Sequence, residues 1–281
     1  MGILSQRLRE NNGGVHSELM TLVRLYRDEL PLDRAASLIA AEEGSKQDPD
    51  ALVCALDRLA EGLYIPEQAS PFEAVARLNH HLFEVHQFKG DVAQFDAPEN
   101  SLLNHVIERR KGLPVLLSLI AIEVSRRVGL ELLPIPFPTH FLVAPAAADP
   151  RFYVDPFHKG EVHRAGYLRA RLNRILGQNV EEDLWLDAIA PATNSAMIFR
   201  MCNNLKAAYL RRGNIKGALR AVEHLLIIDP GAYEELRDRG ALQTQLGHTD
   251  EGIADFEAYI AARPYAPDAD DVAQYLASLK S

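Results

Sequence analysis

Three short segments hold the side chains best suited to chemistry: Arg110-Lys111-Gly112-Leu113-Pro114, Thr139-His140-Phe141-Leu142-Val143 and Tyr153-Val154-Asp155-Pro156-Phe157. An imidazole can take a proton, and a carboxylate can orient that imidazole and steady its charged form. His140 and Asp155 therefore read in two ways. They are a base with its orienting acid, or a buried pair that ties two strands together. A hydroxyl nucleophile would have to be Ser118, one helical turn beyond Pro114. Its plainer reading is a hydroxyl bonded to the carbonyl four residues back. The chain has two cysteines, Cys54 and Cys202. Both read as core fillers on amphipathic helices.

Metal ligation has little support from spacing. His80, His81 and His86 cluster, and His140, Asp155, His158 and His163 are near in sequence. No pair has the His-x-x-x-His spacing that puts two imidazoles on one helix face. His158-Lys159-Gly160 reads as a turn. No metal and no cofactor is expected. Around the first segment, Glu108, Arg109 and Arg110 read as a solvated helix end, a structural ion pair, or a pocket wall that clamps a carboxylate. Asn100 and Asn104, one turn apart, could bond the backbone around such a pocket.

The elements that must position these groups follow from periodicity. Leu22, Val23 and Tyr26 predict a helix that breaks at Leu30-Pro31. Asp48-Pro49 predicts a capped helix start, with Leu52, Leu56, Leu59 and Leu63 on one face. Ser70-Pro71 opens another helix, striped by Phe72, Val75, Leu78, Leu82 and Val85. Gln87 to Glu99 is polar. Residues 113–128 are apolar on most sides and predict a buried helix closed by Gly129. Leu130 to Phe137, broken by Pro134 and Pro136, suits an edge strand. Phe141-Leu142-Val143 and Phe152-Tyr153-Val154 add two short strands, joined through Asp149-Pro150. A small antiparallel sheet is expected.

The last part of the chain repeats. Gly213 and Gly247 stand 34 positions apart, as do Pro230 and Pro264. That is the tetratricopeptide period. Leu205, Tyr209, Ala218, Val222 and Leu225 occupy the packing positions of the first repeat. Arg239 and Gln243 replace two of them in the second, and Asp271 to Leu279 predicts a covering helix. The expected fold is α+β and mostly helical. Residues 1–66 form a helical region, 67–192 the core and 193–281 the repeats.

Composition bounds the function. The chain has 281 residues, 47% of them apolar and 25% charged. That fits a globular protein with a real core. Thirty basic against 39 acidic side chains give a net charge of −9. Such a chain has no general attraction for nucleic acid. No apolar run nears the ~20 residues of a membrane span, and Met1 to Arg7 has no secretory character. With so few cysteines, a cytoplasmic setting is expected.

The order of the three segments resembles the transglutaminase-like fold, a relative of papain-type cysteine proteases. In that family a Cys at a helix N-terminus is the nucleophile, in a Gly-x-Cys pattern, served by a His and an Asp. Here Gly112-Leu113-Pro114 stands at that place. The resemblance thus implies that Pro114 replaces the nucleophile, while His140 and Asp155 match the other two members. The run from Asn100 to Ser118, with His140-Phe141-Leu142-Val143 and Asp155-Pro156-Phe157, is similar to the bacterial SirB-one family. That likeness implies an N-terminal helical region, a transglutaminase-like core and C-terminal tetratricopeptide repeats. A similar core occurs in a eukaryotic F-box protein, an adaptor for substrate recognition. The reading is a non-catalytic module that binds a peptide or protein partner through a degenerate cleft or the repeat groove. The alternative is a hydrolase using His140 and Asp155, with Ser118 as nucleophile.

Overall fold

The computed structural model describes residues 2–149 and 151–280, and the side chains of 14–149 and 151–280. Pro150, placed by the sequence in a strand connection, lies outside the described residues. Contacts divide the chain into two compact units, Met1–Ile198 and Phe199–Ser281.

The first unit opens with helices α1 (Gly2–Tyr26), α2 (Leu32–Glu42) and α3 (Pro49–Ala60). Leu30 turns extended before Pro31, as a residue preceding proline prefers, and this separates α1 from α2. The Asp48 carboxylate accepts the Asp50 N–H at 2.8 Å and caps α3. Leu52, Leu56 and Leu59 are buried, whereas Leu63 lies past the helix end and is half-buried. Cys54 was expected in the core but is exposed. Two positions beyond Leu52 a helix has turned about 200°, so Cys54 faces away from the leucine stripe. The filler reading holds for Cys202, which is buried.

Helix α4 (Pro71–Asn79) starts at Ser70, whose hydroxyl accepts the Glu73 N–H at 3.2 Å. It continues into a π-helical turn, His80–Val85. Val75, Leu78 and Leu82 are buried, but Phe72 and Val85 are exposed. The wide turn, marked by the His86 N–H to His81 carbonyl bond at 3.0 Å, shifts the helical phase and carries Val85 off the stripe. Phe72 instead meets the Phe152 ring edge-on at 5.8 Å.

The polar stretch after Gln87 hides a strand, β1 (Lys89–Gly90), parallel to β2 (Lys111–Gly112). Between them lie a 3-10 turn at Pro98–Ser101 and α5 (Leu103–Arg109). Helix α6 (Pro114–Arg127) follows and is buried from Pro114 through Ser125. A four-stranded antiparallel sheet comes next: β3 (Leu132–Ile135), β4 (Leu142–Pro145), β5 (Phe152–Asp155) and β6 (Glu161–Arg164), in that order. Pro134 sits in the edge strand β3, where a missing N–H is tolerated. The opposite edge, β6, escaped the sequence reading because it is mostly exposed and charged, as edge strands often are. Helices α7 (Ala165–Leu176) and α8 (Glu182–Ala188) cover one face, packing Leu168, Leu172 and Trp185 on Leu142, Ala144 and Tyr153. Helix α6 packs against β3 and β4.

Helix α6 also carries a buried acid. Glu123 is 3% exposed and binds Arg126 and Arg127, each at 2.6 Å. Arg127 also reaches Asp33 on α2 at 2.9 Å and Asp57 on α3 at 2.7 Å. One guanidinium therefore joins three helices. Burial, with the charge of Asp33, pushes Glu123 above the usual carboxylate range despite the two arginines.

In the second unit, α9 (Asn194–Arg211), which begins before the division, leads into α10 (Ile215–Ile228), α11 (Tyr233–Gln245), α12 (Thr249–Ala262) and α13 (Ala269–Leu279). Leu205, Tyr209, Ala218, Val222 and Leu225 are buried, as their repeat positions require. Gly217 allows close packing: a Cβ there would stand 2.8 Å from the Tyr209 ring. Arg239 does not pack as an apolar residue would. It makes a two-pronged pair with the buried Asp255, at 2.8 and 2.6 Å. Val272 of α13 covers Phe256 and Tyr259.

Replacing Arg127 by Met should cost about 2 kcal/mol, below the ~3–5 of a fully buried pair because some of the network stays near water. The variant leaves Glu123 and Asp33 facing each other, so Glu123 will bind its proton at higher pH. The folded state then holds more protons than the unfolded state, and the deficit shrinks as pH falls through that range. Urea unfolding at two pH values measures both effects.

Candidate functional site

The site is built on the end of β5. Asp155 is fully buried. Its Oδ1 accepts the backbone N–H groups of Phe157 at 3.0 Å and His158 at 3.2 Å. Pro156 between them has no N–H to offer and suits the first position of the 3-10 turn Pro156–His158. The other oxygen, Oδ2, bonds His158 Nδ1 at 2.8 Å. His140 Nε2 lies 2.7 Å from that same oxygen. Its approach is out of line for a hydrogen bond, and Nε2 is sealed from solvent without a partner. His163, buried on β6, stands 4.0 Å away and stacks on Tyr167.

Burial alone would raise the Asp155 carboxyl. The His140 and His158 imidazoles outweigh it and hold the group below the usual carboxylate range. Burial lowers His163, against the pull of Glu161 and Asp155.

The surroundings pack closely on His140. Thr139 adopts φ 64°, an uncommon conformation for a β-branched residue, and the His140 N–H closes the turn onto the Phe137 carbonyl at 2.8 Å. The Phe157 ring meets His140 edge-on, and His158 stacks on His140 at 5.5 Å. Gly90 lets β1 approach: a Cβ there would come within 2.5 Å of the Phe157 ring. Gly160 has φ 77°, and its missing Cβ makes room for Asn79, whose amide donates to the Gly160 carbonyl at 2.7 Å.

The sequence candidates divide into two groups. His140 and Asp155 come together. Ser118 lies nearby through the chain, because its hydroxyl donates to the carbonyl of Phe141 at 3.3 Å. The expected bond to the carbonyl four residues back is not formed. The hydroxyl instead ties α6 to β4's approach. Pro114 and Ser118 are both buried. The other group forms a separate brace. Asn100 donates to the Gln94 carbonyl at 2.6 Å and accepts from Arg109 at 3.1 Å. Arg109 pairs with buried Asp91 at 2.7 Å. The Asn100 carbonyl accepts the Leu113 N–H at 3.1 Å and so steadies the start of α6. The side-chain oxygen of Asn104 is buried with no partner, and Glu108 is exposed.

One participant had no signal in the sequence, and another had its role hidden. Asp91 sat inside a polar stretch with no periodic signal. His158, which the sequence offers as one of four neighbouring ligand candidates and more simply as a turn residue, joins His140 and Asp155, with one side-chain atom of each within 4.8 Å of the others. Its signal was the Asp-Pro-x-His spacing, which folds the side chain back on the aspartate.

Residues 50–203 match the transglutaminase-like superfamily, and residues 205–277 match the tetratricopeptide repeat. A UPF0162 protein of Xylella fastidiosa strain 9a5c is 34% identical over 269 residues, covering 93% of this chain and 94% of that protein. The chain belongs to the UPF0162 family. A Vibrio cholerae UPF0162 protein is 30% identical and covers 73% of this chain and 74% of its own length. Protein SirB1 of Salmonella typhimurium is 26% identical, covering 59% of this chain and 61% of that protein. A crystal structure of menin aligns with a TM-score of 0.46 at 13% identity, over 93% of this chain and 72% of that one. A score that low carries no argument. The SirB-type likeness and the order of core then repeats thus hold. Among the described residues, no helix is long and apolar enough to cross a membrane. Tetratricopeptide repeats, as a class, serve protein–protein contact.

Gly160→Ala should lower stability by about 2 kcal/mol, from backbone strain plus collision with Asn79. Urea unfolding measures it. An unchanged midpoint would mean that this turn is not locked.

Proposed function

We propose that this chain is a non-catalytic transglutaminase-like protein that recognises a peptide or protein segment, as an adaptor does. The observation that carries this reading is Pro114 at the first position of α6. By the resemblance, that is the nucleophile's place. A helix N-terminus favours a thiolate, but proline supplies no sulfur and no N–H. Acyl transfer needs an attacking atom that can reach the substrate. The substitute hydroxyl, Ser118, is fully buried and bonded to Phe141.

Pro114, His140 and Asp155 mark a degenerate cleft whose members are buried, and the half-exposed His158 is the part that meets solvent. A partner would engage that rim or the groove of the repeats. Neither nucleic acid nor membrane is proposed as a partner. The chain has only two cysteines, which supports a reducing, cytoplasmic setting.

The full chain should turn over neither ester nor amide substrates, and a fluorophosphonate should leave Ser118 unmodified. Turnover that disappears in His140→Ala or Ser118→Ala would sink the reading in favour of a hydrolase. Pro114→Cys tests the assignment of the nucleophile position. The introduced thiol should react with iodoacetamide at neutral pH at least tenfold faster than exposed Cys54. Labelling no faster than Cys54 would show that a thiol at this buried position has no open, activating cleft around it.

A further inference from the structure

We propose that His140, Asp155 and His158 together hold one divalent first-row transition metal ion of the zinc class. The donor set is two imidazoles and one carboxylate: His140 Nε2, His158 Nδ1 and Asp155 Oδ2, all within 4.8 Å of one another. Borderline metals such as zinc take this mixture of nitrogen and oxygen.

The independent observation is the state of His140. The residue is 7% exposed, and its Nε2 is shut off from water with no hydrogen-bond partner. It stands 2.7 Å from Asp155 Oδ2 but out of line, and that oxygen already serves His158 at 2.8 Å. Buried polar nitrogens are rarely left in this condition. A cation between the three atoms gives every one of them a partner. His140 would offer the lone pair of Nε2, and His158 that of Nδ1. Both rings would be neutral, and any proton on those nitrogens would pass to solvent.

The three atoms reach this ion's geometry by moving the two imidazoles, away from Oδ2 and, from a separation of up to 4.8 Å, toward the spacing of zinc ligands. Ligands of a tetrahedral zinc stand about 3.3 Å apart. Each imidazole must therefore withdraw about half an ångström from Oδ2. His158 can do so, because its side chain is half-exposed on a turn. Asp155 need not move, since Oδ1 is held by the two backbone N–H groups and Oδ2 is left to face the metal. Such outer hydrogen bonds are what orient metal-binding carboxylates. The fourth position would open on the His158 side, where water or a carboxylate from a partner could fill it. This inference stands apart from the recognition reading, because metal binding requires neither turnover nor a peptide.

The test uses the untagged full chain, stripped of metal and titrated with Zn²⁺ at pH 7 by calorimetry. One ion per chain with a dissociation constant of micromolar or below is expected. Co²⁺ should give visible ligand-field bands of a four-coordinate centre. His158→Ala, a change at a half-exposed position, should weaken Zn²⁺ binding at least tenfold and remove those bands. His80→Ala, which removes an exposed imidazole outside the site, should change neither. No saturable binding in the wild type would overturn the proposal. So would binding that His158→Ala leaves intact, because the metal would then sit elsewhere.

Discussion

A carboxylate removed entirely from water must find donors for its lone pairs, or it loses its charge or its place in the fold. Asp155 meets this demand at the last residue of β5. Two backbone N–H groups take one oxygen, and two imidazoles crowd the other. Much of the surrounding backbone follows from that arrangement. The chain must turn at once after Asp155 to bring its own N–H groups back. Pro156 and the left-handed Lys159 and Gly160 accomplish the turn. Gly160 must lack a side chain because Asn79 fills the space and holds the turn. Gly90 must lack one because Phe157, delivered by the same turn, lies against β1.

Helix α6 forms the opposite boundary of this arrangement. Its start is fixed by backbone bonds from the loops around it, including Leu113 to Asn100. Proline is well suited to a first helical turn, since the N–H it lacks has no partner within the helix. The helix therefore keeps its start without a side-chain cap. What proline cannot do is attack a carbonyl. Ser118, one turn deeper, is equally committed to structure, because its hydroxyl joins α6 to the residue after His140. The packing at this junction is also what withdraws the Ser118 hydroxyl from chemistry.

Where the sequence was legible, a periodic or local signal existed. The buried run of α6, the prolines on an edge strand and the 34-residue spacing all translate directly into structure. His140 and Asp155 could be paired because their order matched a known arrangement. Other features had no such signal. Cys54 was placed in the core by its leucine neighbours, although two positions along a helix is nearly the opposite face. The phase slip at the π-helical turn, which exposes Val85, depends on backbone bonds that side-chain spacing does not report. Asp91 and Glu123 are buried acids whose partners come from other elements, Arg109 for one and Arg126 with Arg127 for the other. Their burial is a tertiary fact. His158 lay in plain view, but its role required knowing that the turn folds back on Asp155.

The two units share a logic that bears on function. In the second repeat, Arg239 stands where the first repeat has an apolar packing residue, yet the helices keep their pairing because Asp255 meets the guanidinium with two hydrogen bonds. At the start of α6, proline stands where the resembling family places its nucleophile, yet the helix keeps its position. In both cases the backbone tolerates a change of side-chain chemistry because the replacement satisfies the local bonding demand by another route. The geometric frame alone is therefore weak evidence for activity. Chemistry must be argued from the atoms that remain unsatisfied or exposed. At the end of β5 those are the sealed Nε2 of His140 and the half-exposed ring of His158. Both converge on one carboxylate oxygen of Asp155.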